Sequence, residues 1–144
     1  LHDRPSITQI IATQKASQLA YSAAGITSND VDLAEVHDCF TIAELMATED
    51  LGFAQQGQGG TFSRDGRGIL NQGSVCINPS GGLKSKGHPL GATGTGQAVE
   101  VFKQLRGSVE QSRQVRDAEI GITHNVGGSG ATCAVHVFGR NRNE

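Results

Sequence analysis

Apolar residues at Ile7, Ile10, Ile11, Ala16, Leu19, Ala20 and Ala23 recur at helical spacing, and Gly25 stands where a C-terminal cap belongs, so the pattern predicts a helix over 6–24. Ser28-Asn29-Asp30 is turn chemistry. Residues 33–37 then read as a short strand running straight into a second helix over 39–52, closed by Gly52. Residues 55–73 carry Gln55-Gln56-Gly57-Gln58-Gly59-Gly60 and Asp65-Gly66-Arg67-Gly68, a long polar loop of the kind usually reserved for binding. A strand follows near 75–78. Ala98, Val99, Val101, Phe102 and Leu105 mark a third helix over 93–107, and two strands, 118–124 and 131–138, close the chain around a loop at 125–130. The order α-β-α-β-α-β-β predicts an α/β fold, a layered and mostly parallel mixed sheet with helices.

In such sheets ligands gather beyond the carboxyl ends of strands. His37, His88 and His124 all fall just past such ends or in a loop that follows one. Between the second strand and the third helix, Asn78 to Gly96 is dense in glycine and holds His88 between Gly87 and Pro89. Glycine at this density costs folding entropy, which implies backbone angles closed to other residues or main chain in contact with a ligand.

Composition narrows the classes. The 144 residues are 36% hydrophobic and 18% charged, a globular profile for one domain over 1–144. A net charge of −2 without a basic block offers nothing to nucleic acid or an anionic membrane. The chain has no apolar run near membrane-spanning length, no signal-peptide core in its first residues and no peroxisomal tripeptide at its end, so a cytoplasmic location is expected. Cys39, Cys76 and Cys133 have no CxxC spacing and the histidines no HxxxH or HExxH spacing, so neither disulfides nor a metal is expected.

Three constellations can carry chemistry. In His37-Asp38-Cys39-Phe40 a thiol at a helix N-terminus would favour the thiolate; the plainer alternative is a buried cysteine beside a capping aspartate. In Gly87-His88-Pro89 a neutral imidazole can donate to a developing oxyanion, or simply fill a turn. In His124-Asn125-Val126-Gly127-Gly128 backbone N–H groups can face an anion or carbonyl oxygen, or form an ordinary β-turn. His2, near the start, and His136, alternating within a strand, read as surface residues.

Ala24-Gly-Ile26, His37-Asp-Cys-Phe40, Asn78-Pro-Ser-Gly-Gly82, Gly87-His-Pro-Leu-Gly-Ala-Thr-Gly94 and His124-Asn-Val-Gly-Gly128 occur in the order seen in the C-terminal half of thiolases. The chain resembles the sterol-carrier-protein-2-type and archaeal acetyl-CoA acetyltransferase branch, because His-Asp-Cys-Phe stands where ordinary thiolases have Asn-Glu-Ala-Phe. The resemblance implies that His88 helps activate an acylated cysteine and lines an oxyanion hole, that Cys39 is the acid/base, and that His37 is the second oxyanion donor. It also implies that Gly127 lends its backbone N–H to the other oxyanion hole. Asn125 occupies the position of the second catalytic cysteine of ordinary thiolases, and an amide cannot shuttle that proton.

By the same resemblance the reaction is Claisen condensation or thiolysis, with a coenzyme A thioester as substrate, no permanently bound cofactor and a place in lipid metabolism. The family's nucleophilic cysteine belongs to an N-terminal half, so the chain is expected to be an incomplete thiolase without its first strand, inactive alone. Expected partners are that half, a further copy in a homo-oligomer, hydroxymethylglutaryl-CoA synthase and a zinc-ribbon/OB-fold bridging protein. The alternatives are a thiolase-fold retro-aldolase acting on steroid side-chain thioesters, a 3-oxoacyl synthase, whose patterns differ around the third motif, and a non-catalytic structural subunit.

Overall fold

The computed structural model describes residues 6–141. A helix α1 (Ile11–Ala24), a 3₁₀ turn (Ser28–Asp30) and strand β1 (Leu33–Glu35) lead to α2 (Thr41–Asp50) and α3 (Gly59–Arg64). Strand β2 (Cys76–Ile77) is followed by α4 (Gly82–Lys86), α5 (Thr93–Leu105), a second 3₁₀ turn (Gln111–Arg113), β3 (Ile120–Gly127) and β4 (Thr132–Gly139). The sheet order is β2-β1-β3-β4, with β1 parallel to both neighbours and β4 antiparallel to β3. The expected mostly parallel α/β sheet is the one observed.

Alternation along β1 sorts the core onto two faces. Ala34 and Val36 join Ala47, Leu51, Phe53, Phe62 and Ile122 beneath α2 and α3, while Leu33 joins Cys76, Val101, Leu105 and Val115 beneath α5. Gly121 lets α5 lie close on the sheet, since a Cβ there would sit 2.7 Å from Val101 Cγ1. β1 is buried on both faces, as a central parallel strand must be, whereas β4 alternates exposed and half-buried positions along the sheet's rim. His136 is exposed on β4, as expected, and His2 lies outside the described residues.

Several boundaries move, each for a tertiary reason. The first helix starts at Ile11 rather than at 6, because Thr8 N–H turns back onto Ser6 Oγ (3.2 Å) and Ile10 N–H donates to the buried Asp50 carboxylate (2.7 Å). The strand expected over 33–37 leaves its ladder after Glu35, where Val36 N–H donates to the Asn78 side chain instead. The second helix is shorter at both ends than 39–52. The polar loop 55–73 contains α3, whose first residue, Gly59, donates its N–H to Glu49 Oε1 (2.7 Å). β3 runs on through Gly127, so the loop expected at 125–130 shrinks to the turn between Gly127 and Thr132.

Candidate functional site

The site forms where β1 and β2 leave the sheet side by side. Asn78, just past β2, takes a left-handed conformation (φ 49°), which asparagine tolerates better than most residues. Its Oδ1 accepts Val36 N–H (2.8 Å), its Nδ2 donates to Glu44 Oε2 (3.0 Å), and its own N–H donates to Ala34 O (2.8 Å). One side chain therefore ties together β1, β2 and α2. Burial raises the Glu44 carboxyl above its ordinary range, against the opposing pull of the Asn78 amide.

The next two acids of the junction hold the glycine-rich loop. Asp38, buried, accepts Leu83 N–H (2.7 Å) and, more loosely, Lys84 N–H (3.4 Å), so it caps the start of α4. The capping role offered by the plainer sequence alternative is real but serves a different helix: α2 has no side-chain cap at Phe40. Gly82 (φ +66°) lies so close to the Asp38 carboxylate that a Cβ would collide with it. Glu35, also buried, accepts Ser80 N–H (3.0 Å), Ser80 Oγ–H (2.7 Å) and the Lys86 ammonium (3.2 Å), while its desolvation raises its pKa.

These ties bring two histidines together. The His37 and His88 rings meet edge to face, centroids 4.8 Å apart and planes at 85°. His37 is buried, its Nδ1 has no hydrogen-bond partner, and desolvation followed by the nearby His88 lowers its pKa. A buried nitrogen left unpartnered is costly in a finished protein interior, and it marks a place for a ligand or water. His88 lies on the exposed loop, its Nδ1 2.7 Å from Thr93 Oγ1, and the Thr93 hydroxyl donates to Pro89 O (3.2 Å).

A hydroxyl has one hydrogen, so with that hydrogen on Pro89 O, Thr93 Oγ1 accepts from Nδ1–H and the neutral His88 ring carries a bare Nε2. The outward Nε2 is a base first and a donor only after it has taken a proton.

Cys39 follows His37 by two residues and presents an exposed thiol ahead of α2, rather than the buried thiol of the plainer alternative. It has no hydrogen bond to either histidine. Asn125 lies within β3 opposite Ala134, and its amide donates to Gln97 Oε1 (3.0 Å), which in turn donates through Nε2 to His124 O (3.1 Å). Gly127 ends β3 so close to the Thr132 hydroxyl that a Cβ would overlap it.

His124 is 1% exposed, with Thr13 Oγ1 at 2.9 Å from Nε2 and the His37 backbone N–H donating to Nδ1 at 3.4 Å. Asn78, Glu44, Gln97 and Thr13 were not among the residues expected at the site. Only Asn78 carried a sequence signal, its place in Asn78-Pro-Ser-Gly-Gly82. Among the described residues, no group of three histidine, cysteine, aspartate or glutamate side chains is arranged to hold a metal ion, and no helix is long and apolar enough to cross a membrane.

Comparison with known proteins gives the family. An acetyl-CoA acetyltransferase from Methanothermobacter thermautotrophicus is 55% identical over 97% of this chain and 36% of its own length. One from Methanocaldococcus jannaschii is 44% identical over 99% of this chain and 37% of its own. Human sterol carrier protein 2 is 46% identical over 83% of this chain and 21% of its own. The chain thus spans little more than a third of the longest-matched of these relatives. The solved structure of an Ltp2-ChsH2(DUF35) aldolase superposes with a TM-score of 0.80 over 99% of this chain and 35% of that one, at 24% identity, which speaks for the fold alone. The family model described as thiolase C-terminal domain-like matches residues 1–140, and the chain belongs to that family.

Proposed function

We propose that this chain supplies the C-terminal half of an acetyl-CoA acetyltransferase, performing condensation or thiolysis of acyl-CoA thioesters together with an N-terminal half that brings the nucleophilic cysteine. The observation that carries the reading is the His37–His88 ring pair, with an unpartnered buried nitrogen, at the exit of the parallel strands. The names of the archaeal relatives support the reaction class.

In this reading the bare Nε2 of His88 takes the proton of the nucleophilic thiol. The thiolate attacks the acyl carbon, the C–S bond to coenzyme A breaks, and the departing thiolate takes a proton from solvent, so that His88 keeps the thiol proton and can donate through Nε2. A second thioester, acetyl-CoA, then enters. Cys39, as thiolate, removes a proton from its α-carbon, and the enolate oxygen is held by the two imidazoles. The enolate carbon attacks the acyl-enzyme, the released cysteine sulfur takes the proton held by Cys39, and His88 returns its own to solvent, so the products are a 3-oxoacyl-CoA and the thiol of coenzyme A.

Gly127 N–H serves the tetrahedral intermediate on the acyl-enzyme, and Asn125, hydrogen-bonded to Gln97, orients rather than titrates. No resident cofactor is required. A second copy, hydroxymethylglutaryl-CoA synthase and a zinc-ribbon/OB-fold protein are the partners in keeping with the family resemblance. The retro-aldolase alternative would use the same histidines without a nucleophilic cysteine, and the shared fold does not choose between the two.

The test is acetoacetyl-CoA thiolysis by the enzyme reconstituted with its N-terminal half. His88→Ala should lower kcat by about 10²–10³, the effect of losing one oxyanion donor. Cys39→Ala should still form the acyl-enzyme yet fail to condense. Full condensation by Cys39→Ala, or turnover by the isolated chain, would overturn the assignment.

A further inference from the structure

His124 opens one motif of the sequence and has no part in the chemistry just described. Its ring lies in β3, and the parallel register sets Thr123 opposite Glu35, so His124 is level with the point where β1 leaves its ladder. Beyond that point the backbone of β1 has lost its strand partners. Val36 N–H goes to the Asn78 side chain, and the next donor, His37 N–H, goes to His124 Nδ1 (3.4 Å).

This contact dictates the state of the ring. A backbone N–H only donates, so Nδ1 must be bare, and the neutral ring carries its hydrogen on Nε2. That hydrogen points to Thr13 Oγ1 (2.9 Å), and the Thr13 hydroxyl is then free to donate to Cys133 Sγ (3.6 Å). All the donors and acceptors agree in one direction, from the junction that carries His37 through β3 to α1 and on to Cys133 in β4. A doubly protonated ring would set Nδ1–H against His37 N–H. Burial opposes it as well, pushing the His124 pKa down to about 3, with the neighbouring His37 adding to the effect.

We propose that His124 is a positioning residue for His37: held as the Nε2–H tautomer by Thr13, it fixes the His37 backbone and so aims that imidazole at His88. The inference rests on the reading of His37 as an oxyanion donor, and His124 itself touches neither substrate nor reacting atoms. If His124 only filled space, every substitution would act through stability. If it positions, the two ring nitrogens are separable, because asparagine places an oxygen near the Nδ1 position and glutamine a polar group near Nε2.

The experiment uses the enzyme reconstituted with its N-terminal half. Side-chain ¹⁵N spectra of His124 should show bare Nδ1 and protonated Nε2 at neutral pH; the opposite tautomer or an imidazolium would overturn the proposal. Thr13→Val should lower kcat about tenfold with KM nearly unchanged, the scale of one misdirected hydrogen bond, and should shift the His37 ring resonances. Thr13→Ser should restore both.

His124→Asn should retain more kcat than His124→Gln at similar thermal midpoints. Equal losses in the two, ranked only by midpoint, or unmoved His37 resonances in Thr13→Val, would contradict it. Should the wild-type enzyme prove inert toward acyl-CoA thioesters, the proposed function fails, while the tautomer and the His37 resonances still decide whether His124 aims that ring.

Discussion

The two halves of the sheet solve the same problem by different means. β3 and β4 pair over eight positions, and their backbones satisfy one another. β1 and β2 pair over two positions, and beyond them the backbone is held by side chains: Asn78 on Val36, Asp38 on Leu83 and Lys84, Glu35 on Ser80 and His124 on His37. A ladder gives a rigid platform with little freedom to aim anything. Side-chain ties leave strand exits free to bend, and the bend at each exit sets where His37 and His88 point. The lesson is that the half carrying the histidine pair depends on single polar groups, so single substitutions there should disturb the site far more than comparable ones on the hairpin.

The largest expected effect tests that dependence at Gly82. Gly82→Ala forces a side chain into a left-handed backbone and onto the Asp38 carboxylate, and should cost about 3 kcal/mol or more, read as a fall in urea midpoint with loss of activity. A neutral outcome would break the comparison. Asp38→Ala removes the acceptor of Leu83 and Lys84 N–H and should cost about 2–3 kcal/mol, measured the same way, while loosening the loop that carries His88.

Next in size is a pH effect. The folded pKa of His124, about 3, lies below its ordinary 6.5, so the unfolded chain binds more protons between those values. The stability tied to neutral His124 is complete above about pH 6.5 and is lost as pH falls toward 3, by up to about 1.4 kcal/mol per unit. Glu35 and Glu44, raised by burial, act in the opposite sense: their contribution is present below the ordinary carboxylate range and lost as pH rises through their folded values. The difference between wild type and His124→Asn isolates the histidine. Their gap in unfolding free energy should shrink steadily as pH drops below 6.5, and a gap independent of pH would sink this assignment.

The smallest effect belongs to the hairpin. His136 is exposed, with Thr123 Oγ1 at 3.3 Å from its Nδ1, and His136→Ala should change stability by about 0.5 kcal/mol or less in the same urea measurement. A larger loss would show that the hairpin too relies on single side chains.

The legibility of the sequence follows the same division. α5 was readable almost to the residue, expected over 93–107 and found at Thr93–Leu105, because its apolar stripe and polar face arise from local periodicity. α3 and α4 were invisible: both are short and glycine-led, and Gly59 N–H of the one and Leu83 N–H of the other are satisfied by Glu49 and Asp38, which lie elsewhere in the chain. The start of α1 was missed for the same reason, since Asp50 is forty residues from Ile10.

At the site, the family pattern brought His37 and His88 forward as a pair, and their rings do meet. The proton arrangement was not readable, because it depends on Thr93 choosing Pro89 O and on Thr13, 111 positions away from His124. Local pattern reports what a residue is; only the fold reports which of its atoms remains free.

The most direct measurement is a crystal structure of the enzyme, reconstituted with its N-terminal half, acylated on its nucleophile so that His88 carries the thiol proton, and bound to an unreactive acetyl-CoA analogue. The account predicts the analogue's carbonyl oxygen within hydrogen-bond reach, about 2.7–3.2 Å, of both the His37 and His88 rings, with the Cys39 sulfur beside the α-carbon. A carbonyl bound away from the two imidazoles, with His37 still turned toward unpartnered protein, would contradict it.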